Sequence, residues 1–562
     1  MPALIECVPN FSEGRDLDVL RQITAQIESV EGARLLHLDP GKATNRTVVT
    51  FAGTPEAVVE AAFRAIAAAT ALIDMRHHTG EHPRMGATDV CPLIPISGIS
   101  MEATAELARR LGERVGRELG IPVYLYEAAQ PNPMRKDLSA IRAGEYEGLP
   151  RKILDPAWKP DFGPATFLPR SGATVIGARD FLVAFNVNLN TTSSRRANAV
   201  AFDIRESGRP RREGNPLTGK VVTDGQGQPV MIPGTLKAVK AIGWYIPEYG
   251  IAQVSMNLTN LRVTPLHVAF DEACRAAEAR GLRVTGSELV GLIPRTALLD
   301  AGRHYLTKQQ RSLGVAEAEV LKIAIRSLGL DEMAPFNPEE RVIEYRLRSA
   351  EQRPLAGMTL EQFVEEVASE SVAPGGGSVA AAVGALGVAL GTMVANLSAH
   401  KRGWDDRWVE FSTWAEQGQR LKEQLLHLVD DDTRAFNRVI IAMGMPKDTD
   451  AARAERSAAL EAANLGALEV PWQVMRTVFE AFGLIAAMAA QGNPASASDA
   501  GVGALCARAA LRAAWLNVRT NAKSVKDQRA IAGILEEGAR LEQESATRET
   551  EILKVVTSRM ES

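Results

Sequence analysis

Residues 331–357 read DEMAPFNPEERVIEYRLRSAEQRPLAG, three prolines among many charges with no sustained apolar period, and the chain changes character across them. That composition predicts a domain linker. On its N-terminal side strand-like and helix-like segments alternate. ALIECVPNF at 3–11, RLLHLDP at 34–40 and NRTVVTFAG at 45–53 are short β-rich runs, and PEAVVEAAFRAIAAATALI at 55–73 has helical apolar spacing behind a proline. DVCPLIPI at 89–96 leads to the helix-like ATAELARRLGERVGREL at 103–119, and PVYLYE at 122–127 supplies another strand. A second alternating series runs from FLVAFNVNLN at 181–190 through IAQVSMNLTN, the helix HVAFDEACRAAEARG and the strand-like VTGSELVGLIP, with the break near Gly177. Between them 208–234, rich in Gly, Pro and Arg, reads as a long loop or hairpin. Beyond the linker, MTLEQFVEEVAS at 358–369, a Gly/Ala-rich segment, 411–444, 449–469, 471–490 and 501–522 are all helix-like. The expected architecture is multidomain: two α/β (α+β) subdomains over 1–177 and 178–330, the linker 331–357, and an all-α helical bundle over 358–562.

Composition narrows the function classes. A chain of 562 residues exceeds one ordinary core, and 46% hydrophobic with 5% aromatic content supports burial through Ala, Leu, Val and Ile. A formal charge of −4 indicates no broad basic surface for nucleic acid. Cys7, Cys91, Cys274 and Cys506 form no CxxC pair, so neither a zinc site nor a disulfide framework is suggested, and reduced cytoplasmic thiols fit. The start, MPALIECVPN, lacks the basic and apolar regions of a secretory signal. VAAAVGALGVALGTMVANLS at 379–398 approaches membrane-spanning length without a charge, but Ala and Gly dominate it, so a buried bundle helix is expected and no membrane partner.

Chemistry concentrates in two places. TGEHPRMGATDVCPLIPI at 79–96 holds Glu81 and His82 between Gly80 and Pro83, with Arg84 next, at a strand entrance. The i, i+4 spacing of His78 and His82 suits metal ligation on a helix, but Gly80 and Pro83 deny the helix, and no metal is expected. On spacing alone His82 is equally a loop histidine bonded to backbone. In the C-terminal half, LLHLVDDDTRAFNRVI at 425–440 puts Leu425, Leu428, Val429, Asp432, Ala435, Phe436 and Val439 on one helical face, with Asp430 and Asp431 off its centre. A carboxylate in an apolar stripe acquires a raised pKa and can trade protons near neutrality; the bland alternative is a salt-bridged buried aspartate. PGGGS at 374–378 precedes the Ala-rich helix, making Ser378 the expected N-cap and leaving the N–H groups of Gly376 and Gly377 open to a ligand. Gly384, Gly387 and Gly391 recur along that helix for close packing.

ECVPNFSEG at 6–14, ATNRTVVTF at 43–51 and the EHPRMG segment resemble glutamate formimidoyltransferase, and SVAPGGGSVAA at 371–381 resembles the start of a formimidoyltetrahydrofolate cyclodeaminase. Over nearly its whole length the chain is similar to the bifunctional formimidoyltransferase-cyclodeaminase family of histidine degradation. The resemblance implies tetrahydrofolate as a co-substrate, polyglutamylated, and transfer of the formimidoyl group from N-formimidoyl-L-glutamate. Cyclodeamination to 5,10-methenyltetrahydrofolate and ammonia would follow. It makes His82 the transferase histidine and Asp432 the cyclodeaminase aspartate. Imidazole suits the first role, because one amine loses a proton as the other gains one. Asp39 is a candidate to orient His82, or equally a turn aspartate before Pro40; Asn45, Arg46 and Arg84 are candidates for substrate carboxylates, or surface groups.

Residues Gly163, Pro164, Ala165, Thr166, Phe167, Leu168, Pro169, Arg170, Ser171 and Gly172 match the family's folate-binding segment, whose composition also fits a domain-crossing linker. Lys447 and Asn493 are weaker pocket candidates beside Gly376, Gly377 and Ser378. The family further implies a large homo-oligomer such as an octamer. Two rival readings are a transferase joined to a non-catalytic oligomerisation domain and a folate carrier without turnover.

Overall fold

The computed structural model describes residues 3–42, 44–80, 83–214, 218–347 and 353–561. They form two compact units, Met1–Ala301 with Ile325–Arg348, and Gly302–Ala324 with Ser349–Ser562.

In the first unit a mixed sheet contains β1 (Leu4–Cys7), β2 (Asn10–Phe11), β3 (Ala33–Gly41), β4 (Arg46–Gly53), β5 (Thr88–Ser97), β6 (Val123–Glu127) and β7 (Thr174–Ala178). The order is β1-β4-β2-β5-β7-β6, with β3 on the outer side of β4; only β5–β7 and β6–β7 are parallel. Helices α1 (Leu17–Glu28), α2 (Pro55–Leu72) and α3 (Met101–Arg114) pack on one face, where Cys7, Val49, Phe51, Cys91 and Leu93 are buried. α2 earns that position through Val58, Ala61, Ala62, Ala65, Ile66 and Ala69, a buried stripe at helical spacing. The opposite face carries Val90, Tyr124 and Val175 beneath Ile141 of α4 (Leu138–Arg142) and Leu149 of α5 (Glu145–Lys152).

A second, antiparallel sheet of β8 (Val183–Leu189), β11 (Val239–Ile246), β12 (Ile251–Leu258) and β13 (Val284–Val290) is ordered β11-β12-β8-β13 and covered by α6 (Ser194–Ile204) and α7 (Leu266–Glu278). Its other face holds a linked amide ladder in which Gln253 donates to Asn188 Oδ1 at 2.8 Å and Trp244 donates to Gln253 at 3.0 Å. The Gly/Pro/Arg-rich stretch contains a short hairpin, β9 (Arg209–Pro210) with β10 (Met231–Ile232).

The stretch expected as a linker is partly built into this unit. After α8 (Arg295–Lys308) and α9 (Glu317–Leu328) come α10 (Pro338–Arg341) and α11 (Ile343–Leu347). Val342 and Ile343 are 0% and 1% exposed, and the backbone of Ile293 bonds Arg341 and Ile343 at 3.0 and 3.1 Å. Helices of four and five residues are too short to display a period, and their charges conceal three core side chains, Val342, Ile343 and Tyr345. The boundary at 330 also differs, since Gly302–Ala324 groups with the helical unit, where Leu313 N–H donates to Ser412 Oγ at 2.9 Å.

The second unit is helical: α12 (Leu360–Ala368), α13 (Gly376–Ala399), α14 (Trp408–Met443), α15 (Asp450–Gln491), α16 (Ala497–Ala522) and α17 (Gln528–Glu561). α13 runs through the core, and a Cβ on Gly387 would stand 2.9 Å from Gly503 O, so glycine at that crossing allows α13 and α16 to touch. The expected break between 469 and 471 is absent. Pro471 sits inside α15, where its missing N–H would have bonded the carbonyl of Ala467; Asn521 Nδ2 donates to that carbonyl at 2.7 Å instead.

Candidate functional sites

In the α/β unit the sheet face opposite α1–α3 gathers a polar network around the 78–89 segment. Glu81 and His82 lie outside the described residues. The segment is held on both sides of them. Asn45, in the left-handed region at φ 47, accepts Gly14 N–H at 3.0 Å and donates to Thr79 O at 3.0 Å. Its own carbonyl accepts from His78 Nε2 at 2.8 Å, and His78 Nδ1 accepts from Arg84 Nε at 3.2 Å. Both ring nitrogens are thus committed in one neutral tautomer, and burial holds the His78 pKa below its ordinary value. A Cβ on Gly80 would run into the Thr44 carbonyl, so this glycine allows the chain to approach itself, not only a ligand.

Arg84 donates to Glu147 at 2.7 and 2.9 Å and lies 3.3 Å from Glu145. With His78 on its Nε, little of this guanidinium is left for a substrate. Arg46 donates to Asn10 Oδ1 at 3.0 and 2.7 Å and lies 3.4 Å from the carboxylate of Asp89. Burial lowers the pKa of Arg46 to about 10, Asp89 opposing. Asp39 is exposed on the outer strand, opposite Val48, whose other neighbour is Asn10. Two strand spacings therefore separate Asp39 from Asn10, roughly 10 Å.

The 163–172 loop docks on the same segment. Met75 N–H donates to Arg170 O at 2.9 Å, Ala87 N–H to Ser171 O at 2.8 Å, and Gly86 pairs with Gly172. Phe167 meets Tyr146 with ring centroids 5.4 Å apart, and Tyr146 Oη donates to Pro169 O at 2.5 Å. Gly163 anchors the far end against Ile121 and Gly116.

In the helical unit the N-terminus of α13 meets the middle of α14. Ser378 is the third helical residue, and Gly375 is the N-cap. The expected Ser378 cap is thus displaced, because the cap comes from another helix: Asp432 Oδ2 accepts Ser378 N–H at 2.9 Å and Ser378 Oγ–H at 3.2 Å. Ser378 is fully buried and also donates to Val429 O at 2.8 Å. Burial raises the Asp432 pKa, with the two Ser378 bonds opposing. Gly377 leaves exactly the space the carboxylate fills, for a Cβ there would stand 2.6 Å from Oδ2. Across the helix end, the Asn517 amide of α16 lies 3.2 Å from the Cβ position of Gly376.

Three expectations change here. Asp430 is not peripheral: at 1% exposure it accepts Leu355 N–H at 2.8 Å and Ala356 N–H at 3.4 Å, because α14 is packed on more than one side. Asn493 caps the turn before α16 and donates its N–H to Ser398 Oγ at 2.8 Å. Ser398 is at the far end of α13, roughly 30 Å along the helix from Ser378. Lys447 is exposed beyond the end of α14 at Met443, roughly 16 Å of helix past Asp432. Neither residue joins the Asp432 site within one chain.

Sequence reasoning weighed His78 only as a metal ligand and passed over Asp89, Arg142, Glu147 and Asn517. Arg142 and Glu147 meet Asp89 and Arg84 from more than fifty residues away, and the presence of Asp89 at the head of an apolar strand was the signal available.

The molecule thus joins an α/β unit to a helical unit, each with its own polar site. Family models match both: "Formiminotransferase domain, N-terminal subdomain" over residues 4–179, "Formiminotransferase domain" over 184–348, and "Formiminotransferase-cyclodeaminase" over 359–540. A formimidoyltransferase-cyclodeaminase of Gallus gallus is 44% identical over 530 residues, 94% of each chain. A glutamate formimidoyltransferase of Thermoplasma acidophilum is 42% identical over 306 residues, 54% of this chain and 92% of that protein. A methenyltetrahydrofolate cyclohydrolase of Methylorubrum extorquens is 39% identical over 170 residues, 30% of this chain and 82% of that protein. The chain belongs to the formimidoyltransferase-cyclodeaminase family.

Proposed function

We propose that this chain carries two consecutive folate reactions. The α/β unit transfers the formimidoyl group from N-formimidoyl-L-glutamate to N5 of tetrahydrofolate. The glutamate nitrogen gains a proton as N5 loses one, and His82 is the group assigned to move it. The helical unit then lets N10 attack the formimidoyl carbon, ammonia leaves, and 5,10-methenyltetrahydrofolate forms. Asp432 takes the N10 proton and returns one to the departing nitrogen. The observation that carries the reading is the 44% identity spanning 94% of the chain, which includes both units. The half-buried, pKa-raised Asp432 favours a working helical site over a purely oligomerising one.

The 163–172 loop, docked on the segment that flanks His82, is the proposed pterin-side contact, with Asp39 orienting the histidine and Asn45, Arg46 and Arg84 framing the pocket. We assign Gly376, Gly377 and Ser378 to the second site. The protein is assigned as a cytoplasmic homo-oligomer, and its folate as polyglutamylated. The test is a two-stage assay with purified protein: glutamate release from N-formimidoyl-L-glutamate requires tetrahydrofolate, and methenyl absorbance rises with ammonia. Tight folate binding without either product would leave the carrier reading standing.

A further inference from the structure

Arg142 closes α4, and nothing in its local sequence marks it. Its Nε and Nη2 donate to the two oxygens of Asp89 at 3.3 and 2.5 Å. Asp89 is fully buried, also accepts Met85 N–H at 3.1 Å, and lies 3.4 Å from Arg46 Nη1. One carboxylate therefore serves two guanidinium groups. Burial lowers the pKa of Arg46 to about 10, with Asp89 opposing and the neighbouring Arg142 lowering it further.

The geometry leaves a binding edge. Asp89 occupies the Nε/Nη2 edge of Arg142, and among the described residues no acceptor engages Nη1. The side chain retains 14% exposure. Arg84, by contrast, is neutralised by Glu147 and Glu145. The cluster borders the chain on both sides of the histidine segment, through Met85 on Asp89 and through Arg46 next to Asn45. A guanidinium fixed along one edge by a buried carboxylate is pre-organised to take a second carboxylate on its free edge.

We infer that Arg142, held by Asp89 beside Arg46, binds a carboxylate of a glutamate-bearing substrate in the transfer reaction. This rests on the transferase reading above. Two substrates carry that group, the free N-formimidoyl-L-glutamate and the glutamyl tail of the folate, and kinetics separates them.

Steady-state transfer is measured for wild type, Arg142→Gln and Arg142→Lys with each substrate varied, and with the carboxamide analogue of each. Arg142→Gln should raise one KM roughly tenfold or more, leave the other within twofold, and erase the preference for carboxylate over carboxamide in the affected substrate. A rise for N-formimidoyl-L-glutamate assigns the free amino acid, and a rise for tetrahydrofolate assigns the tail. Lysine keeps the charge but not the two-pronged hold on Asp89, so its KM should fall between. Thermal unfolding followed by circular dichroism, together with kcat retained at saturating substrate, reports that the α/β unit is folded; if glutamine fails that check, the lysine variant carries the comparison. Unchanged KM values and unchanged discrimination in a folded variant overturn the inference and leave Arg142–Asp89 a structural pair. A wild-type protein without transfer activity overturns the underlying reading, and this one with it.

Discussion

Replacing Gly377 by alanine should disable ammonia release while sparing the fold and the transferase. The backbone at 377 is helical, so alanine is itself acceptable there and gains about 1 kcal/mol of helix propensity over glycine. The added methyl, however, would stand 2.6 Å from Asp432 Oδ2 and closer still to Oδ1 and Cγ. The carboxylate must swing away from the helix end, abandoning Ser378 N–H at 2.9 Å and Ser378 Oγ–H at 3.2 Å. Hydrogen bonds to a charged group contribute about 1.5–3 kcal/mol each. Rehydration of a carboxylate whose charged form burial disfavours returns part of that loss. The net cost is about 1–3 kcal/mol after the propensity gain, which a unit of long packed helices withstands. A shift of about 1 Å in a catalytic group, by contrast, costs about a hundredfold in rate. The assay supplies 5-formimidoyltetrahydrofolate and follows methenyl absorbance, with circular dichroism and glutamate release as controls. Wild-type ammonia release from a folded Gly377→Ala protein would refute the idea that Asp432 acts from its place at the end of α13.

Further outcomes follow from the same geometry. Asp432→Asn keeps the shape and removes the titrating proton, so ammonia release should fall by about a hundredfold or more. The folded-state pKa of Asp432 is raised, so the wild-type unit loses stability as pH climbs from the ordinary carboxylate range through that raised value; the melting-temperature gain of Asp432→Asn should be larger at pH 7 than at pH 4. Asp430→Ala strands two buried N–H groups, of Leu355 and Ala356, and should cost about 2–5 kcal/mol by urea titration, with turnover per folded molecule little changed. Glu6, 4% exposed, has its pKa raised from 4.5 to about 7 by burial, with Arg179 opposing and Glu344 adding. Its contribution is intact below the lower value and lost as pH rises through the upper one; Glu6→Gln should flatten the unfolding profile of the α/β unit between them, recovering up to about 3 kcal/mol. His82→Ala should cut transfer by about a hundredfold while cyclodeamination of supplied 5-formimidoyltetrahydrofolate survives, a split readable in the two-stage assay.

How much was legible depended on whether a feature is local. The strands around 4–11, 46–53 and 88–97 and the helix 55–72 announce themselves by period and punctuation, and the loss of β-branched runs after 357 predicts the helical unit. The failures share one cause, a partner distant in sequence. Pro471 reads as a break because nothing nearby says that Asn521, fifty residues on, will satisfy the carbonyl of Ala467. Ser378 reads as a cap because the true acceptor, Asp432, lies on another helix. Arg84 reads as a free cation until α5 brings Glu147 to it. Residues 338–347 read as linker because three buried side chains, Val342, Ile343 and Tyr345, are too few to form a pattern yet enough to bury a short helix pair.

Asp430 and Asp432 show why apolar surroundings alone do not identify a catalytic carboxylate. Two residues apart on α14, both are withdrawn from water, and a stripe count ranks Asp432 as the inward one, whereas Asp430 is the more deeply buried. What separates them is who satisfies each. Asp430 is met on both oxygens by backbone N–H groups of the 355–356 turn, fixed donors that tie it to that turn. Among the described residues Asp432 is met by donors on one oxygen only, with its burial unbalanced by any cation among the causes of its shift, and it keeps partial access to solvent. The proton-shuttle role proposed for Asp432 calls for that combination: a raised pKa, an oxygen left for a substrate nitrogen and partial exposure. Asp430 fixes the position of the 355–356 turn on α14, and Asp432, one half-turn further round, retains the capacity to titrate.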